Sequence, residues 1–535
     1  MTDTCDVDRL NRLICSIRDH AVFDHPVEKF ELVETHISFV LLTGLFAYKF
    51  KKPVNPGFLD FSTLEKRKFY CEEEVRLNRR YAPAIYLDVV AVTGTEDRPV
   101  LNGGGEAIEY AVKMVQFPGG AELDSVLEKG RLTSTHLDNL ARQIAKFHET
   151  AAVATRESPF GLPGIIRQST LENFTAIRSH LQDNAFKTQL DQLEDWTALM
   201  LDQLSPRFFS RQRSGYVREC HGDLHLGNIA LYRDQPVLFD CIEFSEEFRW
   251  IDVINEIAFL VMDLEARGQY AMAWRFLNTY LEAGADYEGL QLLRFYCIYR
   301  ALVRCKIACI RLAQQDLAPL ERQKQNKKSR HYLELAGQYT KPPGKALLIT
   351  HGLSGSGKST WTQPLLETIG AIRVRSDVER KRLHGLASEA RTSSGLEAGI
   401  YSRGNTGKTY ERLFNLAKVI LDAGYPAIVD ATFLNRGDRS KFQQLAERLD
   451  VPFIILDFQV SEDVLRRRIQ ERQKTGHDVS EAGLDVLEYQ ISQRDRLDET
   501  ESRCTVVMNT AGDIRQKQLD RVIEVLSDLS GIRSR

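Results

Sequence analysis

The most constraining stretch of this chain is GLSGSGKST, residues 352–360, set between the apolar run ALLIT and a segment with helical spacing of apolar residues. It satisfies GxxxxGK[ST] at each fixed position, in strand-to-helix context. Glycines let successive backbone N–H groups turn inward at a helix N-terminus, where the dipole favours anions, so such a loop cradles phosphates. Gly352, Leu353, Ser354, Gly355, Ser356, Gly357, Lys358, Ser359 and Thr360 are therefore candidate nucleotide-binding residues. Lys358 is expected to reach the β- and γ-phosphates of ATP, and Ser359 to offer its hydroxyl to Mg2+. A glycine-rich turn without a ligand is the alternative.

Strands and helices alternate beyond this loop. AIRVRS (371–376), PAIVDATF (426–433) and PFIILDF (452–458) read as strands, and TYERLFNLAKVILDAGYP (409–426), KFQQLAERLD and VSEDVLRRRIQERQKTG as helices. This alternation predicts an α/β domain with a parallel sheet covered on both faces. Asp430 ends an apolar strand, where a carboxylate can hold Mg2+. Asp377, just past another strand, can face the γ-phosphate and accept a hydroxyl proton, or can cap the following helix. Arg468 and Arg472 lie one turn apart on a basic helix, either neutralising transferred charge or forming a solvated face. The set resembles small P-loop kinases such as polynucleotide 5′-hydroxyl, gluconate and adenylylsulfate kinases, and zeta-toxin-like enzymes. That resemblance implies Asp377 as base, Arg380 as substrate clamp, and Arg468 and Arg472 as lid arginines.

The first part of the chain is built differently. Strands THISFVLLTG and LFAYKFKKP meet at a Thr-Gly turn, followed by a helix at 62–82 opened by a Ser62–Glu65 capping box, strands YLDVVAV and IEYAVKMVQF, and then mostly helices. HGDLHLGN (221–228) separates Asp223 from Asn228 by five positions, and Asp240 ends the run PVLFD. Asp223 can take a proton from an incoming hydroxyl, while Asn228 and Asp240 can hold Mg2+ against phosphates. This order resembles the protein-kinase-like fold of aminoglycoside phosphotransferases and choline kinases. The resemblance implies a nucleotide-binding pair of Lys49 with Glu73; Lys51 shares the strand face of Lys49, and Glu72 and Glu74 flank Glu73. It also implies an adenine-binding hinge at YAVKMVQFPGG (110–120) and a buttressing helix at 250–260, with Asp252 structural. No GxGxxG covers the phosphates; VETHISFVLLTG stands in its place.

Five hundred and thirty-five residues exceed one core, and GQYTKPPGKA (337–346) is the expected boundary, since paired prolines stop a helix. A helix at 293–315 and a charged linker run, ERQKQNKKSRHY, precede it. The expected domains are a bilobal α+β kinase-like domain at 1–336, a linker at 337–345, and a P-loop NTPase domain at 346–535. Net charge of −3 excludes a general nucleic-acid patch, leaving at most a site for a 5′ end. The most apolar run, residues 37–48, is too short to span a membrane, and the polar start does not read as a secretory signal. Nine scattered cysteines without CxxC point to a reducing cytoplasm, with Cys305 and Cys309 as packing residues. The motifs occur in the same order in bacterial two-domain proteins that fuse an aminoglycoside phosphotransferase-like domain to a P-loop kinase-like ATPase domain. That resemblance implies ATP and Mg2+ in both halves and small-molecule hydroxyl acceptors. One active kinase with a regulatory partner domain, or a polynucleotide kinase, are the alternatives.

Overall fold

The computed structural model of the chain describes all residues except 1–3, 21–22, 28, 56, 58, 181–183, 315–316, 388–389, 391–399, 401, 476–481, 513–515 and 531–535. Two compact units compose it. One comprises Met1–Leu140, Phe147–Leu171 and Leu201–Asp263; the other comprises Ala141–Lys146, Glu172–Met200 and Leu264–Arg535.

In the first unit, β1 (Glu31–Glu34), β2 (Ser38–Leu42), β3 (Phe46–Lys51), β4 (Tyr86–Thr95), β5 (Arg98–Leu101) and β6 (Ala107–Val115) form an antiparallel sheet of order β1-β2-β3-β6-β4-β5. Because side chains alternate along a strand, β3 presents Tyr48 and Phe50 to one face and Lys49 and Lys51 to the other. The Tyr48 face packs on Leu10, Leu13, Ile14 and Ile17 of the helix Thr4–His20. Polar composition conceals that helix in the sequence, although its apolar residues recur every three or four positions. The other face packs on Cys71 and Val75 of the helix Leu64–Asn78. This helix is capped by Thr63, whose hydroxyl accepts the Lys66 N–H. The expected Ser62 cap is corrected accordingly, because Ser62 turns its hydroxyl to Asp60. Beyond the sheet, two small antiparallel ribbons frame the loop at 221–228. They pair β7 (Val217–Glu219) with β10 (Trp250–Asp252), and β8 (Ile229–Tyr232) with β9 (Gln235–Leu238).

In the second unit, β11 (Leu347–His351), β12 (Ile372–Arg375), β13 (Ala427–Asp430), β14 (Phe453–Gln459) and β15 (Thr505–Asn509) form a wholly parallel sheet of order β12-β13-β11-β14-β15. Every residue of β11 is buried, as expected for a central parallel strand. The fifth strand, TVVMN, escapes sequence reading because its inward residues, Val506 and Met508, alternate with exposed ones on a sheet edge. The charged run read as a linker is instead part of a helix, Pro319–Tyr339, with Pro319 at its first turn. Among its buried residues, Gln325, Ser329, Tyr332, Leu333 and Ala336 recur at helical spacing, the helix packs against Leu290–Leu312, and Lys324 and Lys327 are exposed. No helix among the described residues is long and apolar enough to cross a membrane.

Candidate functional sites

The first site grows from the alternation of β3. Lys49 Nζ lies 2.8 Å from Glu74 Oε1 and also touches Asp240, while Lys51 Nζ lies 2.7 Å from Glu74 Oε2 and touches Glu243. Glu74, not the expected Glu73, is therefore the helix partner of Lys49. The cause is helical phase. Glu74 points inward with no exposed surface, and Glu73 pairs outward with Arg76. Burial opposes the charge on Lys49, yet Asp240 and Glu74 outweigh it and hold the ammonium well above its ordinary pKa. Burial likewise opposes ionisation of Glu74, but Lys49 and Lys51 together keep its carboxyl low. Two lysines against Glu74, Asp240 and Glu243 leave one formal negative charge in this cluster. A cation is the natural complement.

Asp240 itself has left-handed backbone (φ +61°) and donates its N–H to Tyr86 Oη at 3.0 Å. This strained residue leaves its side chain 46% exposed, so the carboxylate remains accessible beside Lys49. Asn228, whose carbonyl accepts the Phe239 N–H, donates through Nδ2 to Asp223 Oδ2 (2.9 Å) and to the Asp223 carbonyl (3.0 Å), which fixes the carboxylate of the expected base. Glu256 holds the loop from beneath by accepting the His221 and Gly222 N–H groups at 2.7 and 3.0 Å. His221 donates through Nε2 to the Phe239 carbonyl, and burial keeps its pKa below normal. Gly222 sits at φ +87°, and a Cβ there would lie 2.7 Å from the Phe248 carbonyl oxygen. Hence the glycine of HGD is required by the fold. Asp252 makes a buried two-point ion pair with Arg211, in keeping with a structural role. Phe117, in the expected hinge segment, packs against Phe239.

In the second site, Gly352, Gly355 and Gly357 all have positive φ. A Cβ at Gly352 would meet the Phe458 carbonyl and Ser356 Oγ at 2.9 Å, so the loop's entry tolerates no side chain. Lys358 Nζ curls back to the carbonyls of Gly352 and Leu353 at 3.1 and 2.9 Å, and burial lowers its pKa. A buried ammonium held by carbonyl dipoles is the arrangement an anionic phosphate would complete. Ser359 Oγ donates to Asp430 Oδ2 at 2.6 Å, joining the two expected Mg2+ ligands. Thr360 lies on the same first turn of the helix Lys358–Ile369, whereas Leu353, Ser354 and Ser356 shape the loop. Ser354 N–H donates to Gln490, and the Ser356 carbonyl accepts from Thr510.

The remaining expected residues fall less uniformly. Asp377 lies in the first turn of the helix Ser376–Leu383, whose N-cap position is Arg375, so it does not occupy the cap. Arg380 is buried and donates to the Ile400 carbonyl and Thr406 Oγ1, bonds that tie it to neighbouring segments of its own unit. Arg468 reaches the Gly355 carbonyl (3.4 Å) and the Thr510 carbonyl (2.5 Å), which places it against the glycine loop. Arg472 instead donates to the Ala482 carbonyl. Sequence reasoning misses Glu243; its place three residues after Asp240 is the signal that could have found it.

Comparison with known proteins matches two stretches of the chain to different families. The phosphotransferase enzyme family matches residues 72–293, and the AAA domain family matches 347–497. An uncharacterised protein of Mycobacterium tuberculosis is 30% identical over 458 residues, covering 85% of this chain and 88% of its own length. The chain belongs to that family. In this two-domain family a phosphotransferase domain precedes a P-loop kinase-like domain. Among solved structures, a choline kinase from Cryptosporidium parvum covers 62% of the chain and 96% of itself at 12% identity and a TM-score of 0.38. A gluconokinase from Sinorhizobium meliloti covers 34% and 96% at 20% identity and a TM-score of 0.25. Both domains of the chain resemble kinase families.

Proposed function

We propose that the chain is a bifunctional ATP-dependent phosphotransferase, each site binding Mg-ATP and transferring the γ-phosphoryl group to a hydroxyl of a small molecule. The observation that supports it most is the double grip of Lys49 on Glu74 and Asp240, together with an Asp223 carboxylate already oriented by Asn228. In the first site Lys49 would hold nucleotide phosphates, and Asn228 and Asp240 would hold Mg2+, which supplies charge neutralisation when bound. Asp223 accepts the acceptor's proton as the new O–P bond forms; the β–γ bridging bond breaks and ADP departs. In the second site Lys358 and the loop N–H groups take the phosphates, Ser359 and Asp430 the metal, Asp377 the proton, and Arg468 the developing charge.

Transfer from γ-labelled ATP to a collection of hydroxyl metabolites tests the reading. Lys358→Ala is expected to abolish one set of labelled products and Asp223→Ala the other. Loss of every product with either single change would overturn two independent sites in favour of one coupled activity.

A further inference from the structure

Strand β12 lies at the outer edge of the parallel sheet, and something must satisfy its open side. The helix Tyr270–Gly284 does so. Asn278 donates through Nδ2 to the Ala371 carbonyl and accepts the Arg373 N–H through Oδ1, at 2.9 and 2.8 Å, making the two bonds a neighbouring strand would make. Trp274 covers Gly370, where an added Cβ would lie 2.9 Å from the indole. Arg275 pairs with Glu367 at 3.0 Å. One turn beyond Asn278, Glu282 Oε1 takes Arg375 Nη1 at 3.1 Å, and its carbonyl takes Arg382.

Arg375 is the link to the chemistry. Its Nε lies 4.0 Å from Asp430 Oδ2, the same oxygen that accepts from Ser359 Oγ at 2.6 Å. Asp430 is almost wholly buried, so a guanidinium closing fully on it would neutralise the charge a divalent cation needs. Glu282 draws that guanidinium the other way. Yet Glu282 belongs to the stretch matched by the phosphotransferase enzyme family, not to the P-loop segment.

We propose that Glu282 is a positioning residue for the P-loop site, holding Arg375 off Asp430 so that the Ser359–Asp430 pair can take a divalent cation. This rests on the reading that the P-loop site binds Mg-ATP. Removing the Glu282 carboxylate lets Arg375 close on Asp430, and the Mg2+ requirement for nucleotide binding rises.

The test is calorimetric titration of the full chain with a non-hydrolysable ATP analogue across a Mg2+ series, in an Asp240→Ala background that disables the other site. Glu282→Ala is expected to raise the Mg2+ concentration for half-maximal binding about fivefold, the size of a coupling between contacting residues. Affinity at saturating Mg2+ should change less than about twofold, because Arg375 competes with the metal and not with the nucleotide. In an Arg375→Ala background the same change should have no further effect. An unchanged Mg2+ midpoint, or an equal shift in both backgrounds, would overturn the proposal. If Glu282→Ala does not fold, Glu282→Met fills the space without an acceptor for Arg375, and a midpoint that fails to rise then overturns it equally. Absence of any Mg2+-dependent binding in the Asp240→Ala parent would instead remove the Mg-ATP reading itself.

Discussion

Lys49 Nζ stands 2.8 Å from Glu74, while Glu73, one residue earlier on the same helix, pairs with Arg76. A rotation of one residue separates a carboxylate with no exposed surface from one that faces Arg76 near the surface. Glu74→Ala would leave Lys49 and Lys51 short of a shared buried counter-charge, at a cost of about 3 kcal/mol. Glu73→Ala, losing a partly exposed pair, should cost less than about 1 kcal/mol. Urea denaturation of the two variants checks this, and only the Glu74 variant should also lose nucleotide binding at the first site.

Gly222→Ala is expected to destabilise the loop at 221–228 by about 2 kcal/mol, combining left-handed backbone with an approach to the Phe248 carbonyl. Phosphoryl transfer dependent on Asp223 should fall further than stability does. Parallel melting and transfer assays separate the two effects.

His148 gives the pH dependence a definite sign. Burial pushes its imidazole down to about 3, from an ordinary value of 6.5. As pH falls below 6.5 the unfolded chain takes up this proton and the folded chain does not. Stability present at neutral pH is therefore lost progressively down to about pH 3, at most about 1.4 kcal/mol per unit from this one group. Denaturation curves at pH 7, 6 and 5 should show a steeper decline for the parent than for His148→Gln. Equal slopes would remove His148 as the source.

A piece comprising residues 346–535 keeps the whole parallel sheet but loses Asn278 and Trp274, exposing the edge of β12 and the surface over Gly370. It is expected to melt lower than the full chain's P-loop unit and to self-associate through the open edge. A piece beginning at residue 264, which keeps Asn278 and Trp274, should melt higher and self-associate less than the shorter one. Size-exclusion chromatography with thermal melting compares them.

Much of this molecule is legible in one dimension because local rules carry it. GxxxxGK[ST] needs only a strand before and a helix after, and the five-residue spacing from Asp223 to Asn228 lets the amide reach the carboxylate within one loop. Alternation along FAYKFK likewise shows which lysines share a face. Elements whose signals are weak stay hidden. The helix Thr4–His20 looks polar until Ile14 and Ile17 find the sheet, and the lysines of Pro319–Tyr339 mask the face that packs inward.

Sequence by itself determined that GxxxxGK[ST] and HGDLHLGN are present, which residue types populate them, and the order of those residues along each segment. Tertiary structure alone decided which of three adjacent glutamates meets Lys49, that Glu243 completes the charge cluster, and that Glu282 grips the arginine beside Asp430. The physical reason is range. Hydrogen-bonded loops and side-chain alternation act over a few residues, whereas ion-pair partners are selected by burial and helix phase between segments far apart in the chain.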